Sequence, residues 1–192
     1  MFRNALLTAI LFLLPAVFFL ALPLTAARAT SIQGLAIRIN GGDLLVSARL
    51  APDGSLVKDL RAGMEKKLVF YVDLFRHWSS WPDEFIMGRK IERDVDCDSV
   101  KGEYVMVTQE NGWALTSRYA SCNELIHNAL ILKNIKLSNL GKLIKGRYYV
   151  RVTAESSLRS LPPLLGQMFF FIRNEEFSVQ ANSPAVNLGG GR

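Results

Sequence analysis

The residues best suited to chemistry are few and scattered. Asp94-Val95-Asp96-Cys97-Asp98 has the D-x-D-x-D opening of a calcium loop. Such a loop also needs glycine at its sixth position, to turn sharply, and a bidentate glutamate at its twelfth, to close the coordination sphere. Ser99 and Val105 stand at those positions. Alternate residues of a strand share one face, so the three carboxylates read as a solvated outer row near Lys90 and Glu92. The two histidines, His77 and His127, and the two cysteines, Cys97 and Cys122, stand apart from one another. A zinc site would need three or four ligands at recognisable spacing. No G-x-S-x-G elbow and no G-K-[ST] phosphate loop occurs. These absences predict a protein that is not an enzyme, with no catalytic residues, metal or cofactor.

Two constellations remain. Cys97 and Cys122 are the only cysteines. In an oxidising compartment they are expected to form a disulfide; the alternative is a pair of buried free thiols. His77-Trp78-Ser79-Ser80-Trp81-Pro82-Asp83 puts two of the three tryptophans within four residues. Tryptophan brings large contact area and one N–H donor to an interface at small entropic cost. His77, Trp78, Trp81 and Asp83 are therefore the expected partner-binding residues, with Arg76 and Glu84 as a polar rim. Two other roles for this stretch stay open: folding back to cap the edge of the fold, and contact with a membrane.

The N-terminus indicates the compartment. Arg3 is followed by no charge until Arg28, and Ala27-Arg28-Ala29 is an A-x-A cleavage pattern. A basic residue, an apolar run and small residues form a Sec-type export signal. The uncharged stretch 4–27 is also long enough to span a bilayer as a helix. Residues 1–29 are thus either a cleaved signal peptide or an inner-membrane anchor, and the expected location is the periplasm. Loss of Arg3 and Arg28 with that segment lowers the formal charge from +6 to +4. The remaining cations are dispersed, as on a solvated basic surface, and export argues against nucleic acid as a partner.

The elements that position these residues centre on residues 66–98. Leu68, Phe70, Val72 and Leu74 share one parity, and Phe85, Met87, Ile91, Val95 and Cys97 form a second apolar row. Pro82, which cannot donate to a ladder, suits the connection between two long strands. Before this hairpin, residues 31–39 and 43–50 read as strands around Asn40-Gly41-Gly42, and residues 55–64 as a helix capped by Ser55 and ended by Gly63. After it come strands over 103–108 and 113–119, joined by Asn111-Gly112. Ser121-x-x-Glu124 then opens a helix expected over 122–133, with a connection over 137–146. Residues 147–155 read as a strand with Tyr148, Val150, Val152 and Ala154 inward and Arg147, Arg151 and Thr153 outward. Leu161-Pro162-Pro163-Leu164 interrupts the pattern. A last hairpin is expected from 167–172 and 176–180, with Phe169, Phe170 and Phe171 buried in it or pressed on a membrane or partner. About nine short strands and two short helices predict a mainly β protein. The expected fold is an antiparallel β-sandwich, immunoglobulin-like by default, over residues 30–182, with a flexible tail over 183–192; the alternative is a β-sheet backed by the two helices.

The run F-Y-V-D-L-F-R-H-W over Phe70 to Trp78, with Trp81 after it, resembles the uncharacterised bacterial envelope proteins of domain-of-unknown-function family 4390. So do R-Y-Y-V-R-V over Arg147 to Val152 and L-P-P-L over Leu161 to Leu164. That resemblance implies a membrane-associated or periplasmic protein of unknown function. In some members the gene lies near a nitrogen-regulation-type sensor kinase, which implies an accessory part in membrane signalling. It brings no catalytic residues with it. Three readings follow. The first is a non-catalytic β-sandwich that binds an envelope or inner-membrane protein. The second is a membrane-surface structural module. The third is a small hydrolase without a recognisable motif.

The disulfide can be tested directly. Unfolded but unreduced protein is expected to show no reactive thiol, and two titratable thiols would contradict the pairing. By the chain-entropy argument a closed loop of this length adds about 3 kcal/mol.

Overall fold

The computed structural model describes residues 29–158 and 175–188. Outside the described residues lie 1–28, with the expected export segment, and 189–192. Residues 159–174, with the Leu161–Leu164 interruption, Phe169 to Phe171 and the strand expected over 167–172, lie outside them too.

Local sequence explains most element boundaries. Gly41 and Gly42 have φ of 57° and 82°, a backbone that glycine adopts at little cost. They close a two-residue hairpin between β1 (Ser31–Asn40) and β2 (Asp43–Ala51). Asp53, rather than the expected Ser55, caps α1 (Gly54–Arg61), accepting the amide hydrogens of Ser55 and Leu56 at 3.1 and 3.4 Å. β3 (Lys66–His77) and β4 (Glu84–Asp98) form the long antiparallel hairpin. β5 (Glu103–Glu110) and β6 (Trp113–Arg118) close over Asn111 and Gly112, both at positive φ. Ser121 caps α2 (Cys122–Ala129), while the Glu124 carboxylate reaches back to the Ala120 amide.

The expected helix over 122–133 is too long, and the expected connection is partly a strand. α2 stops at Ala129, and the chain continues as β7 (Ile131–Asn139), paired antiparallel with β2. A buried cation fixes the boundary. Arg93, from β4, donates from one nitrogen, Nη1, to the carbonyls of Asn128, Ala129 and Ile131 at 3.1, 2.7 and 2.9 Å. A cation at a helix C-terminus satisfies carbonyls that have no partner in the helix and meets the negative end of its dipole. Leu130 is then the helix C-cap and Leu132 a buried strand residue, although their spacing also continues the helical stripe.

β8 (Gly146–Leu158) is followed by β9 (Glu175–Asn182) and β10 (Val186–Leu188) along the same side of β8. β10 falls within the residues expected to form a flexible tail. Ser183 carries the pairing across the gap before it: its hydroxyl accepts the Val150 amide at 2.9 Å, and its own amide donates to the Val150 carbonyl at 2.8 Å.

The strands form the expected antiparallel sandwich. One sheet has the order β1-β2-β7; the other runs β10-β8-β3-β4-β5-β6, with β9 also on β8. This strand order, which the immunoglobulin-like default left open, makes β3 to β6 a plain meander. β1 approaches β9 and β8, β7 approaches β4, and α2 packs on β4 and β5. Between the layers lie Leu44, Val46 and Leu50 of β2, Leu68, Phe70, Val72 and Leu74 of β3, and Val150 and Val152 of β8. The Cys97–Cys122 disulfide ties the end of β4 to the start of α2, with a Cα separation of 5.5 Å. Among the described residues no group of three His, Cys, Asp or Glu is placed to hold a metal ion, and Asp94, expected in a solvated outer row, is buried.

Lys66 stands in the core row of β3 and is 0% exposed. It pairs with Asp59 of α1 at 2.9 Å and with Glu176 of β9, and Ser156 donates to the other Glu176 oxygen at 3.2 Å. Desolvation pulls the Lys66 ammonium down, but hydrogen bonds and charge from Glu176 and Asp59 outweigh it and raise its pKa. Because the folded pKa is the higher one, this stabilisation is complete below the ordinary lysine value of about 10.4 and fades only as pH rises through the folded value. Lys66→Met should therefore lower stability equally at pH 7 and pH 9, by about 3 kcal/mol for a charge group stripped of its partner. A difference that has already vanished at pH 9 would contradict this account.

Candidate functional site

β3 ends at His77 and β4 begins at Glu84, which leaves a six-residue tip at one end of the larger sheet. One carboxylate shapes it. Asp83 Oδ1 accepts the Trp78 amide hydrogen at 3.2 Å and lies 2.9 Å from His77 Nδ1. Burial pushes the Asp83 carboxyl up, but the Trp78 amide, the Tyr149 hydroxyl and His77 together hold it below the usual range. An acidic group that closes a turn by accepting nearby amide hydrogens restricts the loop to one course. Asp83 and His77, expected to touch a partner, thus also have an internal role.

The two tryptophans differ. Trp78 is 39% exposed; the Arg76 guanidinium lies 4.2 Å from its ring centre, and its indole N–H points to Glu84 Oε2 at 3.4 Å. It folds onto its own hairpin. Trp81 is 77% exposed, so it does not cap the sandwich edge. The structure brings all four expected residues into one tip and leaves Trp81 as its most exposed aromatic side chain.

Phe85 joins Trp81 for a reason that the alternation of the sequence concealed. Leu74 pairs with Met87, but Phe75 pairs with Phe85, so Ile86 is an extra residue in β4. A bulge of one residue reverses the parity beyond it. Phe85 was expected in the core row; it lies instead on the outer face, edge-on to Phe75 at 5.7 Å, and is 58% exposed. Phe75 also stacks on Tyr149 at 5.4 Å and lies 4.6 Å beneath the Arg151 guanidinium. A Cβ at Gly88 would stand 2.1 Å from Asp73 Oδ1, so any larger residue there would have to displace that carboxylate. Burial raises the Asp73 carboxyl, against the opposing charge of Arg151.

A groove of about 320 Å³ runs beside the tip, lined by His77, Asp83, Arg147, Tyr149, Arg151 and Asn182 among others. Arg147, Tyr149 and Arg151 alternate on the outer face of β8, opposite His77, Phe75 and Asp73 of β3. Burial and the neighbouring Asp83 raise the Tyr149 hydroxyl. The sequence placed Arg147 and Arg151 outward; their nearness to His77 depends on β8 pairing with β3, which no local signal announces.

A second exposed surface was missed altogether. Trp113 is 82% exposed and Leu115 is also exposed, both on the inner parity of the edge strand β6. The smaller sheet and α2 pack mainly on β9, β8, β4 and β5, and this row is left largely uncovered. A lone W-x-L alternation looks the same in sequence whether covered or bare.

No curated protein and no solved structure matches the chain. A family model described as "Domain of unknown function (DUF4390)" matches residues 27–183, a span that takes in β1 to β9, both helices and the tip, and the chain belongs to this family.

Proposed function

We propose that this chain is an exported envelope protein whose β-sandwich binds a protein partner through the β3–β4 tip and catalyses no reaction. The observation that carries this reading is Trp81, a large aromatic side chain left 77% exposed on a loop that Asp83 holds in one course. An ordered loop that presents an apolar group loses little conformational freedom on binding, which favours affinity. Arg76, Asp83 and Glu84 supply a polar rim.

Export is supported by the basic start, the uncharged stretch 4–27 and the A-x-A pattern. A disulfide between the chain's two cysteines fits an oxidising compartment. Residues 4–27 would be removed or would anchor the protein to the inner membrane; among the described residues no helix is long and apolar enough to cross one. An accessory role in membrane signalling would make the partner an inner-membrane protein.

Trp81→Ala should change stability by no more than about 0.5 kcal/mol, as for an exposed side chain, and should remove a protein band crosslinked to the wild type in intact envelopes. Unchanged crosslinking with unchanged stability would reject the tip as the contact. Recovery of lipid rather than protein adducts would favour the membrane-surface reading.

A further inference from the structure

Arg147 and Arg151 line the groove beside the tip, and among the described residues neither forms an ion pair with a carboxylate. Their surroundings divide the work between them. Arg151 is held in place: its guanidinium lies over Phe75 and donates to Asn182 Oδ1 at 3.2 Å. Arg147 is exposed and makes no hydrogen bond among the described residues comparable to that one. The carboxylate in the groove wall, Asp83, is already engaged by the Trp78 amide, His77 and Tyr149. The groove lining therefore offers two guanidiniums, Arg151 with the Asp73 carboxylate set against it from β3 and Arg147 with no such neighbour across the strand pair.

On these grounds we infer that the groove binds an acidic, extended segment of the protein partner, with its carboxylates on Arg147 and Arg151 and an apolar neighbour against Trp81 and Phe85. The inference rests on the partner-binding reading above and names the chemistry of the partner. A guanidinium recognises a carboxylate through two parallel N–H···O bonds, which gives direction as well as attraction. Arg147 and Arg151 stand four residues apart on one strand face, a separation of about 13 Å at the usual rise per residue. An extended peptide repeats its side chains on one face at the same interval, so carboxylates four residues apart in the partner meet the two arginines in register. The residue between them lies over Tyr149, the floor of the groove. The exposed aromatics give the segment its second anchor. An anionic lipid headgroup would satisfy the charges but not this spacing, and the protein segment is the occupant the geometry favours.

The test uses the full chain in cells, with a photo-crosslinking residue in place of Ala185, an exposed residue of the groove wall. The adduct is digested and its peptide sequenced. The expected result is one partner segment with Asp or Glu residues four positions apart. Arg147→Glu should reduce the adduct at least tenfold at an unchanged melting temperature, and Arg147→Lys should retain part of it. A lipid adduct, a segment without carboxylates, or an adduct indifferent to Arg147→Glu would overturn the inference. The two proposals fail separately: if Trp81→Ala removes the partner and Arg147→Glu does not, the tip is the contact and the groove is not. If neither substitution matters, both fall.

Discussion

The fold depends on β3 being paired on both sides along nearly its whole length, with β4 on one edge and β8 on the other. Its inner row, Leu68, Phe70, Val72 and Leu74, is fully buried, and each such side chain contributes about 1.5–3 kcal/mol when removed from water. A strand held in this way is stiff. It delivers the tip at His77 to Asp83 at a fixed place, and through β8 it brings Arg147 and Arg151 alongside. Beyond Lys66 the inner row of β3 is apolar; its outer row carries Asp73, Phe75 and His77, and that is the face on which the groove forms.

The two ends of the hairpin are built for opposite purposes. Away from the tip, the core is closed by covalent and ionic ties: the Cys97–Cys122 disulfide, Lys66 between Asp59 and Glu176, and Arg93 on the last carbonyls of α2. Each joins elements that are distant in sequence. Buried charges of this kind contribute less to stability than apolar packing would, but a stranded partner is costly, so they discriminate against misplaced helices and strands. At the tip the polar contacts lie mainly within the loop and its own strands, with Tyr149 of β8 reaching Asp83 from outside them. They hold Trp78 down and leave Trp81 out.

The sequence was legible where local chemistry decides. Gly41-Gly42, Asn111-Gly112, the Ser121–Glu124 box and the alternation of β3 and β8 all lie where they were read, and two cysteines leave only one intramolecular pairing. It was illegible where long-range contacts decide. The helical stripe through Leu130 and Leu132 could not reveal that Arg93, some forty residues earlier, ends the helix at Ala129. The inward parity assigned to Phe85 failed because a bulge at Ile86 leaves no mark in composition. The tail from residue 183 gave no sign that Ser183 would carry a ladder into β10. Of the candidate site, His77, Trp78, Trp81 and Asp83 were apparent from residue type and crowding. The groove was not, because it exists only once β8 lies against β3.

The central claim is that Trp81 is covered by a protein in the envelope and bare in isolation. Hydroxyl-radical footprinting of the same chain in intact envelopes and after purification measures this directly, with Trp113, equally exposed in the isolated fold, as the reference for radical dose. The account predicts that Trp81 is oxidised several-fold less in the envelope, relative to Trp113, than in the purified protein. Equal oxidation of Trp81 in the two states would contradict it.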